Sequence, residues 1–404
     1  MRQGASLPGI ANYNEKVVLH AIRTSGGISQ AELVDRTGLA TQTVSAIVNQ
    51  LLAKGQVRAS GVQSVGRGRP RTILELVPDS RFALGFHIDP SLVTVVVLNL
   101  AGQVVRLGHS REVLGDDPAA SVPAIADLAR ALIRDSGIDA SRLVGSCVAT
   151  PGVVDAAFGG MVHPLWMPTW DRYPIRDRLA DLLGMPVDFV KDTLAAVTGE
   201  TWLRASADDC SLVFLYLGIG VGVGVAINGE VLGGASGNGG EIGRLLVAVG
   251  RSDTQDAYAG RGMDNDPAIL AQRAIESAVM PGDPGATSTL PGIDAAFRQL
   301  CRLARDGNVP ARDLLAGAGA RLATAIVAVA EIVDADEVVY GGPYWELVRE
   351  FYEPAAAQAI RTLSGHGPHS VRLSGTSMGQ DVGAIGAAAR VLDGHYVPRT
   401  RLMR

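Results

Sequence analysis

The sequence predicts an α/β protein with a small helical head and a larger body of two similar α/β halves. Three observations lead to this prediction. The first eighty residues space their apolar side chains as helices do and end in a short alternating strand. After Pro78, glycine-punctuated strands alternate with long helices, and this pattern occurs twice. The length of 404 residues allows two or three domains.

The charge is unevenly distributed along the chain. Residues 1–80 carry nine Lys and Arg against five Asp and Glu, a net of +4, whereas the whole chain has a net charge of −5. A basic head on an acidic body is typical of a nucleic-acid-binding module attached to another domain.

Composition also indicates the compartment. The three cysteines are far apart in the sequence, which favours buried thiols over a disulfide framework and a reducing environment. The longest apolar runs, such as residues 91–102, are shorter than the roughly 20 residues that a membrane span needs. The first residues also lack the apolar stretch of a signal peptide. We therefore expect a cytoplasmic protein with no membrane partner.

The head shows the signals of a helix-turn-helix. Residues 14–26 predict a first helix. Ser29 and Glu32 have the spacing of a capping box for a second helix, which Gly38 closes. Thr41 is placed to cap a third helix with one apolar stripe, formed by Val44, Ile47, Val48, Leu51 and Leu52. Helix, short glycine-containing turn and helix is the order expected of a helix-turn-helix.

The third helix has polar residues where such a motif contacts DNA. In a helix-turn-helix, the N-terminal residues of the second motif helix face base edges in the major groove. The corresponding residues here are Thr41, Gln42, Thr43, Ser45 and Asn49. A protein-interaction domain with a solvated polar face predicts the same pattern, so these helices alone leave both interpretations open.

The segment "VGRGRPR" (65–71) favours the DNA interpretation. It lies between a short strand and the alternating strand "RTILEL", which together predict a β-hairpin. Arg67 and Arg69, beside glycines, are suited to phosphate contacts or to a narrow minor groove. A flexible linker is the alternative, but a basic hairpin directly after a recognition helix indicates a wing.

The body predicts two cycles of strands and helices. Residues 82–89, 92–100 and 102–110 form a predicted three-strand meander, followed by a helix over 119–137 and a strand that ends in a Pro-Gly loop. The second cycle begins with the strands of 212–234 and ends with the helix of 381–392. This duplication predicts a doubly wound fold with a cleft between the halves.

These segments resemble the ROK family, named for repressors, open reading frames and kinases, and in particular its winged-helix transcriptional regulators. The head with "GRGRP" is similar to the regulator head, "LGIGVGVGVAINGEVLGGASGNGGEIG" to the family's signature segment, and "VVYGG" and "GAIGAA" to its nucleotide-side motifs. The resemblance implies a winged helix-turn-helix over residues 1–78. It also implies a sugar-kinase/actin-like, ribonuclease H-like body with α/β domains over 79–192 and 193–404, the last helices packing back on the first domain.

The kinase phosphate loop departs from the family pattern. Where ROK kinases have "DxGGT", this chain has "HIDPS": His87 at the first Asp, Asp89-Pro90 at the glycines and Ser91 at the Thr. An acid repels phosphate and a proline removes an amide donor. We therefore expect no enzymatic activity and no cofactor, and Asp192, which matches the family's catalytic base, is expected to be vestigial.

The resemblance also implies an effector pocket. Glu241 matches a sugar-contacting carboxylate, Lys191 and Trp166 stand where asparagines are usual, and Arg244 replaces a His that also ligates zinc, so no metal is expected. With Asp192, these residues could bind a sugar phosphate or sugar acid through the cations. Alternatively, the cations neutralise the carboxylates and close the pocket, and an uncharged carbohydrate stacked on Trp166 is also compatible.

The sequence thus predicts a transcriptional regulator of carbohydrate-related metabolism. Its expected partners are a double-stranded DNA operator, a sugar or sugar-phosphate effector, and a second or further copies of the chain in a homodimer or homotetramer. An active ROK sugar kinase with an added DNA-binding head, and a regulator that answers to no effector, are the alternatives.

Overall fold

The head combines helices with a small sheet. The computed structural model describes residues 7–63, 71–204, 210–249, 265–283, 285, 290–366 and 369–398. The elements of the head are α1 (Leu7–Ser25), β1 (Ile28–Ser29), α2 (Gln30–Thr37), α3 (Thr41–Ala53), β2 (Val57–Gln63) and β3 (Arg71–Leu76). Strand β3 lies between β1 and β2 and is antiparallel to both. The helices pack on this sheet around a core that includes Ile22, Leu33 and Val48.

The local helix signals are largely confirmed. The Ser29 side chain accepts a hydrogen bond from the Glu32 N–H, and the Glu32 carboxylate accepts one from the Ser29 N–H at 2.9 Å. Gly38 ends α2 in the left-handed conformation, with φ of 67°, and its N–H donates to the Val34 carbonyl. The reciprocal capping fixes where α2 begins, and the glycine fixes where it ends.

Two predictions for α3 were wrong. Thr41 does not cap the helix: the extended residue before it is Ala40, no side chain caps this end, and Thr41 is already the first helical residue. Leu52 leaves the predicted apolar stripe, because it is 37% exposed whereas Val44 and Leu51 are buried. Leu52 follows Leu51 by one residue, a rotation of about 100° around the helix, which turns it away from the core.

The first half of the body is a five-stranded sheet in the order β10-β7-β4-β5-β6. Strands β4, β5 and β6 form the predicted antiparallel meander, and β7 and β10 extend it in parallel. Its elements are β4 (Phe82–Asp89), β5 (Leu92–Asn99), β6 (Val104–Ser110), α4 (Pro118–Ser136), β7 (Leu143–Thr150), β8 (Val153–Asp155), β9 (Gly160–Val162), α5 (Ile175–Leu183), β10 (Val187–Lys191) and α6 (Asp192–Leu203).

The second half repeats this plan in the order β13-β12-β11-β14-β15. Strands β11 to β13 are antiparallel, and β14 and β15 add to β11 in parallel. Its elements are β11 (Leu212–Leu217), β12 (Val221–Ile227), β13 (Glu230–Val231), α7 (Gly243–Val249), α8 (Pro267–Glu276), α9 (Leu290–Arg305), α10 (Val309–Val333), β14 (Glu337–Gly341), α11 (Trp345–His366), β15 (Arg372–Gly375) and α12 (Val382–Tyr396).

Helices α6 and α12 pack against each other between the two sheets. Helix α12, the last described helix, lies on β4, β5 and β7 of the first half and against α6. The two helices approach closely because small residues meet: a Cβ on Gly199 would lie 2.9 Å from the Cα of Gly386. One buried cluster continues through this layer from Val96 of the first sheet to Phe214 and Val339 of the second. The α6–α12 pair therefore joins the halves.

The sequence was expected to contain no apolar segment long enough to span a membrane. Helix α10 is such a segment by length and composition. In the structure it packs against α9, α11 and β11, with Leu315, Leu322 and Ile326 buried. These contacts are those of a core helix in a folded α/β domain, whose apolar face covers a sheet.

Candidate functional site

A cavity of about 280 Å³ lies in the cleft between the two halves. The first half contributes the loop after β7, the loop after β9 and the junction of β10 with α6. The second half contributes the β11–β12 turn, Glu241 and the start of α7. The carboxyl ends of the parallel strands β7 and β10 meet at this point, which is where open α/β sheets bind ligands.

Four of the five predicted effector residues line this cavity. Trp166, Lys191, Asp192 and Glu241 do so, whereas Arg244 is exposed and is not among the lining residues that the structure describes. Arg244 therefore does not contribute its predicted cation to the cavity wall in this structure.

Lys191 and Glu241 form an ion pair across the cleft. The Lys191 side chain is 4% exposed and that of Glu241 is 58% exposed. Burial lowers the pKa of Lys191, and the neighbouring Asp192 raises it. Since β10 ends at Lys191 and α6 begins at Asp192, the two side chains are held at one strand–helix junction. This ion pair is one of the contacts predicted by the alternative interpretation, in which the cations neutralise the carboxylates of the pocket.

Asp192 is buried at the start of α6. Its carboxylate accepts a hydrogen bond from the Thr193 N–H at 2.7 Å. Burial raises the pKa of Asp192 to about 7, against the lowering effects of Lys191 and of the Thr193 N–H. Desolvation disfavours the charged carboxylate more than these partners favour it. Asp192 is therefore placed to hydrogen-bond a hydroxyl group, and it changes its protonation state near neutral pH.

The segment in place of the kinase phosphate loop satisfies its own hydrogen bonds. His87 and Asp89 are buried, and the N–H and hydroxyl of Ser91 donate to Asp89 Oδ1 at 2.9 and 2.6 Å. Pro90 reaches the cavity wall, and His87 packs so tightly on α12 that a Cβ on Gly383 would lie 2.7 Å from its ring. Burial lowers the pKa of His87, so the ring stays neutral. The Asp89 carboxylate is therefore engaged within the hairpin by Ser91.

Polar bonds cross the cleft beside this hairpin. Arg111, just after β6, pairs with Asp294 of α9 at 3.5 Å, and Tyr344 donates to the same carboxylate at 3.0 Å. His109 lies 2.6 Å from Asp381, at the start of α12. A small cavity of about 40 Å³ lies between these residues, lined among others by His87, Asp89 and Arg111. The Arg111–Asp294 pair thus links the two halves beside the 87–91 segment.

The predicted DNA-contacting helix presents a polar face. Thr41, Gln42 and Asn49 are exposed, and Thr43 and Ser45 are half-buried. Arg67 and Arg69 lie outside the described residues. Strands β2 and β3 pair up to the register Gln63–Arg71, on either side of the segment that contains these arginines.

The head is docked on the body through α6 and α12. Arg23 of α1 donates to the Trp202 carbonyl at 2.7 Å, and its guanidinium lies 4.0 Å from the centre of the Trp202 ring. Lys16 donates to the Gly394 carbonyl at 3.0 Å. Tyr396 packs against both the head core and the core of the α6–α12 layer. The far ends of both helices therefore contact the head.

Several features of the cleft were not predicted from the sequence. The Asn238 side chain makes two hydrogen bonds of 2.8 Å to the Val154 backbone across the cleft. Trp166 packs against Ile219 of the second half, and the Thr193 hydroxyl is buried without a hydrogen-bond partner. These residues are separated by tens of positions or stand alone, so no local spacing signals them.

Among the described residues, no group of three or more His, Cys, Asp or Glu side chains could hold a metal ion. Burial raises the pKa of Cys301 to about 12 and also raises that of Cys147. The thiols therefore stay protonated and behave as small apolar side chains.

Family models match both parts of the chain. The ROK family model matches residues 93–393, and the MarR family model matches residues 12–68. The sequence is 29% identical over 391 residues to the transcriptional regulator Rv0485 of Mycobacterium tuberculosis, covering 94% of this chain and 85% of that protein. It is 24% identical over 238 residues to the xylose repressor of Bacillus subtilis, covering 59% of this chain and 61% of that protein.

Solved structures share the fold. A ROK family transcriptional regulator, described as a homologue of the E. coli MLC protein, superposes with a TM-score of 0.73 and 20% identity, covering 96% of this chain and 97% of that one. A ROK hexokinase from Thermus thermophilus superposes with a TM-score of 0.61 and 23% identity over 76% of this chain and 97% of its own. The winged helix followed by a sugar-kinase-like body, predicted from the sequence, is confirmed. The chain belongs to the ROK family, and its winged-helix head and full-length relatives make it a transcriptional regulator.

Proposed function

We propose that this regulator binds an operator through α3 and the segment 64–70, and that a carbohydrate-related ligand in the cleft cavity controls the binding. The observation that carries the proposal is the docking of the head on the ends of α6 and α12. The first of these helices begins in the cavity, at Asp192, and ends at the head, beside Trp202.

The DNA contacts follow from the surface of α3. Its buried face, with Val44, Ile47 and Val48, holds the helix on the head core, which leaves Gln42 and Asn49 to solvent. A polar side chain at the second residue of a recognition helix reaches base edges in the major groove. We assign base recognition to Gln42 and its neighbours, and phosphate or minor-groove contacts to Arg67 and Arg69.

Helix α6 provides a direct mechanical connection. Its 12 residues span about 18 Å at the helical rise of 1.5 Å per residue. All residues from Asp192 to Trp202 are buried, and α6 packs closely on α12, so we expect the two helices to move together. A ligand that binds one closure state of the cleft more tightly than another shifts the population of that state. Movement of the helix ends then changes the orientation of the head.

The body is proposed to bind its ligand without phosphorylating it. The Asp89 carboxylate uses the Ser91 N–H, and the Arg111–Asp294 and His109–Asp381 pairs close the neighbouring cleft. A phosphate would meet carboxylates instead of the amides that usually cradle it. Sugar-dependent ADP production that Asp192→Asn abolishes would instead establish the kinase alternative.

The relative from Bacillus subtilis is named a xylose repressor, which supports a sugar-related ligand and repression for this chain. A symmetric homodimer or dimer of dimers would present paired heads to a pseudo-palindromic operator, since dimers of this motif bind half-sites about one helical turn apart. The Lys191–Glu241 ion pair favours a second candidate, a regulator that is independent of any ligand, because it neutralises the pocket in advance.

Selection of bound sequences from a random DNA library tests the assignment of α3. Wild-type protein should enrich one sequence, and Gln42→Ala should relax the preference at specific positions at a cost of about 1–3 kcal/mol for the preferred base. Arg106→Ala, an exposed arginine on β6 of the body, is the control and should leave the enriched sequence unchanged. An equal loss of affinity on every sequence in Gln42→Ala would refute base recognition by this residue.

A further inference from the structure

The cavity walls indicate the chemistry of the ligand. Both halves contribute apolar side chains to it: Met161, Trp166 and Met167 from the first, and Ile219, Val221 and Leu246 from the second. A sugar hydroxyl buried against such a wall loses its hydrogen bonds to water and gains none in return, which disfavours binding. The wall therefore suits an apolar surface better than a ring that carries a hydroxyl on every carbon.

The charges of the cavity disfavour an anionic ligand. Lys191 is the only Lys or Arg among the described lining residues, and Glu241 already pairs with its ammonium. Asp192 adds a further carboxyl group, and Arg244 is turned to solvent. A phosphate recognised in a protein usually meets a guanidinium fork or several free donors. Among the lining residues that the structure describes, a sugar phosphate finds neither.

The polar end of the cavity is small and has free hydrogen-bonding capacity. The hydroxyl of Thr193, which lines the cavity and is 1% exposed, is buried without a partner. Buried polar groups are normally satisfied, so the unpartnered Thr193 hydroxyl, next to Asp192 in the sequence and in the cavity lining, points to a hydroxyl group of a ligand.

We propose that the cavity binds an uncharged glycoside with a hydrophobic aglycone. The sugar hydroxyls bond Asp192, Thr193 and Lys191, and the aglycone lies against Trp166 and Ile219. The volume of about 280 Å³ is near the lower end of small-molecule pockets, roughly 300 Å³, which limits the ligand to one sugar ring and a small aglycone. This inference rests on the proposed function, because it names the effector of the same site.

Calorimetric titration of the full-length protein tests the ligand class. The probes are 4-nitrophenyl xyloside and glucoside, the parent sugars, and the 1-phosphates of those sugars. We expect the nitrophenyl glycosides to bind at least about tenfold more tightly than the parent sugars and the phosphates not to bind, a difference of about 1.4 kcal/mol or more. Binding of either sugar 1-phosphate, tighter binding of a free sugar, or no binding of either glycoside overturns the inference.

Two variants locate the ligand. Trp166→Asn should weaken glycoside binding about tenfold, and Thr193→Val should weaken it without lowering Tm, because the lost hydroxyl has no partner in the protein. Arg244→Ala is the exposed control and should bind as wild type. Unchanged glycoside affinity in both Trp166→Asn and Thr193→Val overturns the placement.

Operator binding, measured on the same preparations, separates the two proposals. Sequence-selective DNA binding without glycoside binding refutes the ligand class alone, whereas the absence of sequence-selective DNA binding refutes the proposed function.

Discussion

One methyl group on α12 tests how closely α6 and α12 pack against each other. In Gly386→Ala the new Cβ would overlap the Ala195 carbonyl of α6 and would lie 2.9 Å from the Ala196 nitrogen. These are backbone atoms of a buried helix, so no flexible side chain can move aside. The helices must separate, and the contacts between Asp192 and Trp202 shift with them.

The magnitude follows from two opposing effects. Overpacking of a close-packed core costs about 1–3 kcal/mol, and a contact inside van der Waals distance lies at the upper end. The higher helix propensity of alanine returns up to about 1 kcal/mol. We therefore expect Gly386→Ala to lower the free energy of unfolding by about 2 kcal/mol.

Gly394→Ala is the matched control on the same helix. A Cβ there has no atom within 4 Å, and its backbone φ is not in the left-handed region. This variant should be as stable as wild type or more stable by up to about 1 kcal/mol. Urea denaturation followed by circular dichroism measures both variants. Equal stability of Gly386→Ala and Gly394→Ala would refute the close packing on which the proposed coupling depends.

Three further predictions concern the head, the cavity and the wing. Ser29→Ala should lower the stability of the head by about 1 kcal/mol, measured as a shift in Tm, because the side-chain cap of α2 is lost. Ser29→Gly also loses this cap but should cost only a few tenths of a kcal/mol, because glycine is itself favoured at N-cap positions. Wild-type stability in Ser29→Ala would argue against the capping box. Asp192→Asn should become progressively more stable relative to wild type from pH 4 to pH 8. Burial raises the pKa of Asp192 in the folded state to about 7, from an ordinary value of 3.8. The protonated carboxyl group therefore stabilises the wild-type fold at low pH, and this stabilisation is lost as the pH rises through that window. A difference in Tm that does not change with pH would contradict this. Arg67→Ala with Arg69→Ala should weaken DNA binding on all sequences and reduce the slope of log K against log salt by about 2, one unit per lost phosphate contact, while Arg106→Ala should leave the slope unchanged.

The parts of the fold that were predictable depend on short-range chemistry. The Ser29–Glu32 capping box and the Gly38 helix end are set by hydrogen bonds within a few residues, and the β4–β6 meander by consecutive apolar runs. The glycines of α12 stand out in the sequence as "GAIGAA". What requires glycine at residue 386 is the close approach of α6, a tertiary contact that the sequence does not show. Thr41 failed as a cap because the sequence does not specify which of two adjacent residues becomes extended.

The site was predictable in composition and less so in arrangement. Trp166, Lys191, Asp192 and Glu241 line one cavity. This was predictable, because the family resemblance implies that their segments surround the cleft. The exposed position of Arg244 was not predictable, since one turn of a helix decides whether a side chain faces the cavity or solvent.

The docking of the head was invisible in the sequence. Arg23 and Trp202 are 179 positions apart, and no local pattern pairs a cation with a distant indole ring. The domain boundaries at residues 78 and 192 stay predictions, as do the DNA contacts of the wing.

The most direct test of the account compares the binding of purified protein to its own upstream DNA and to a shuffled sequence of the same length, by fluorescence anisotropy at two salt concentrations. The account predicts at least about a 1,000-fold preference for the upstream DNA, and affinities for both sequences that fall steeply as salt rises. Equal affinities for the two sequences, or no binding at low salt, would contradict it.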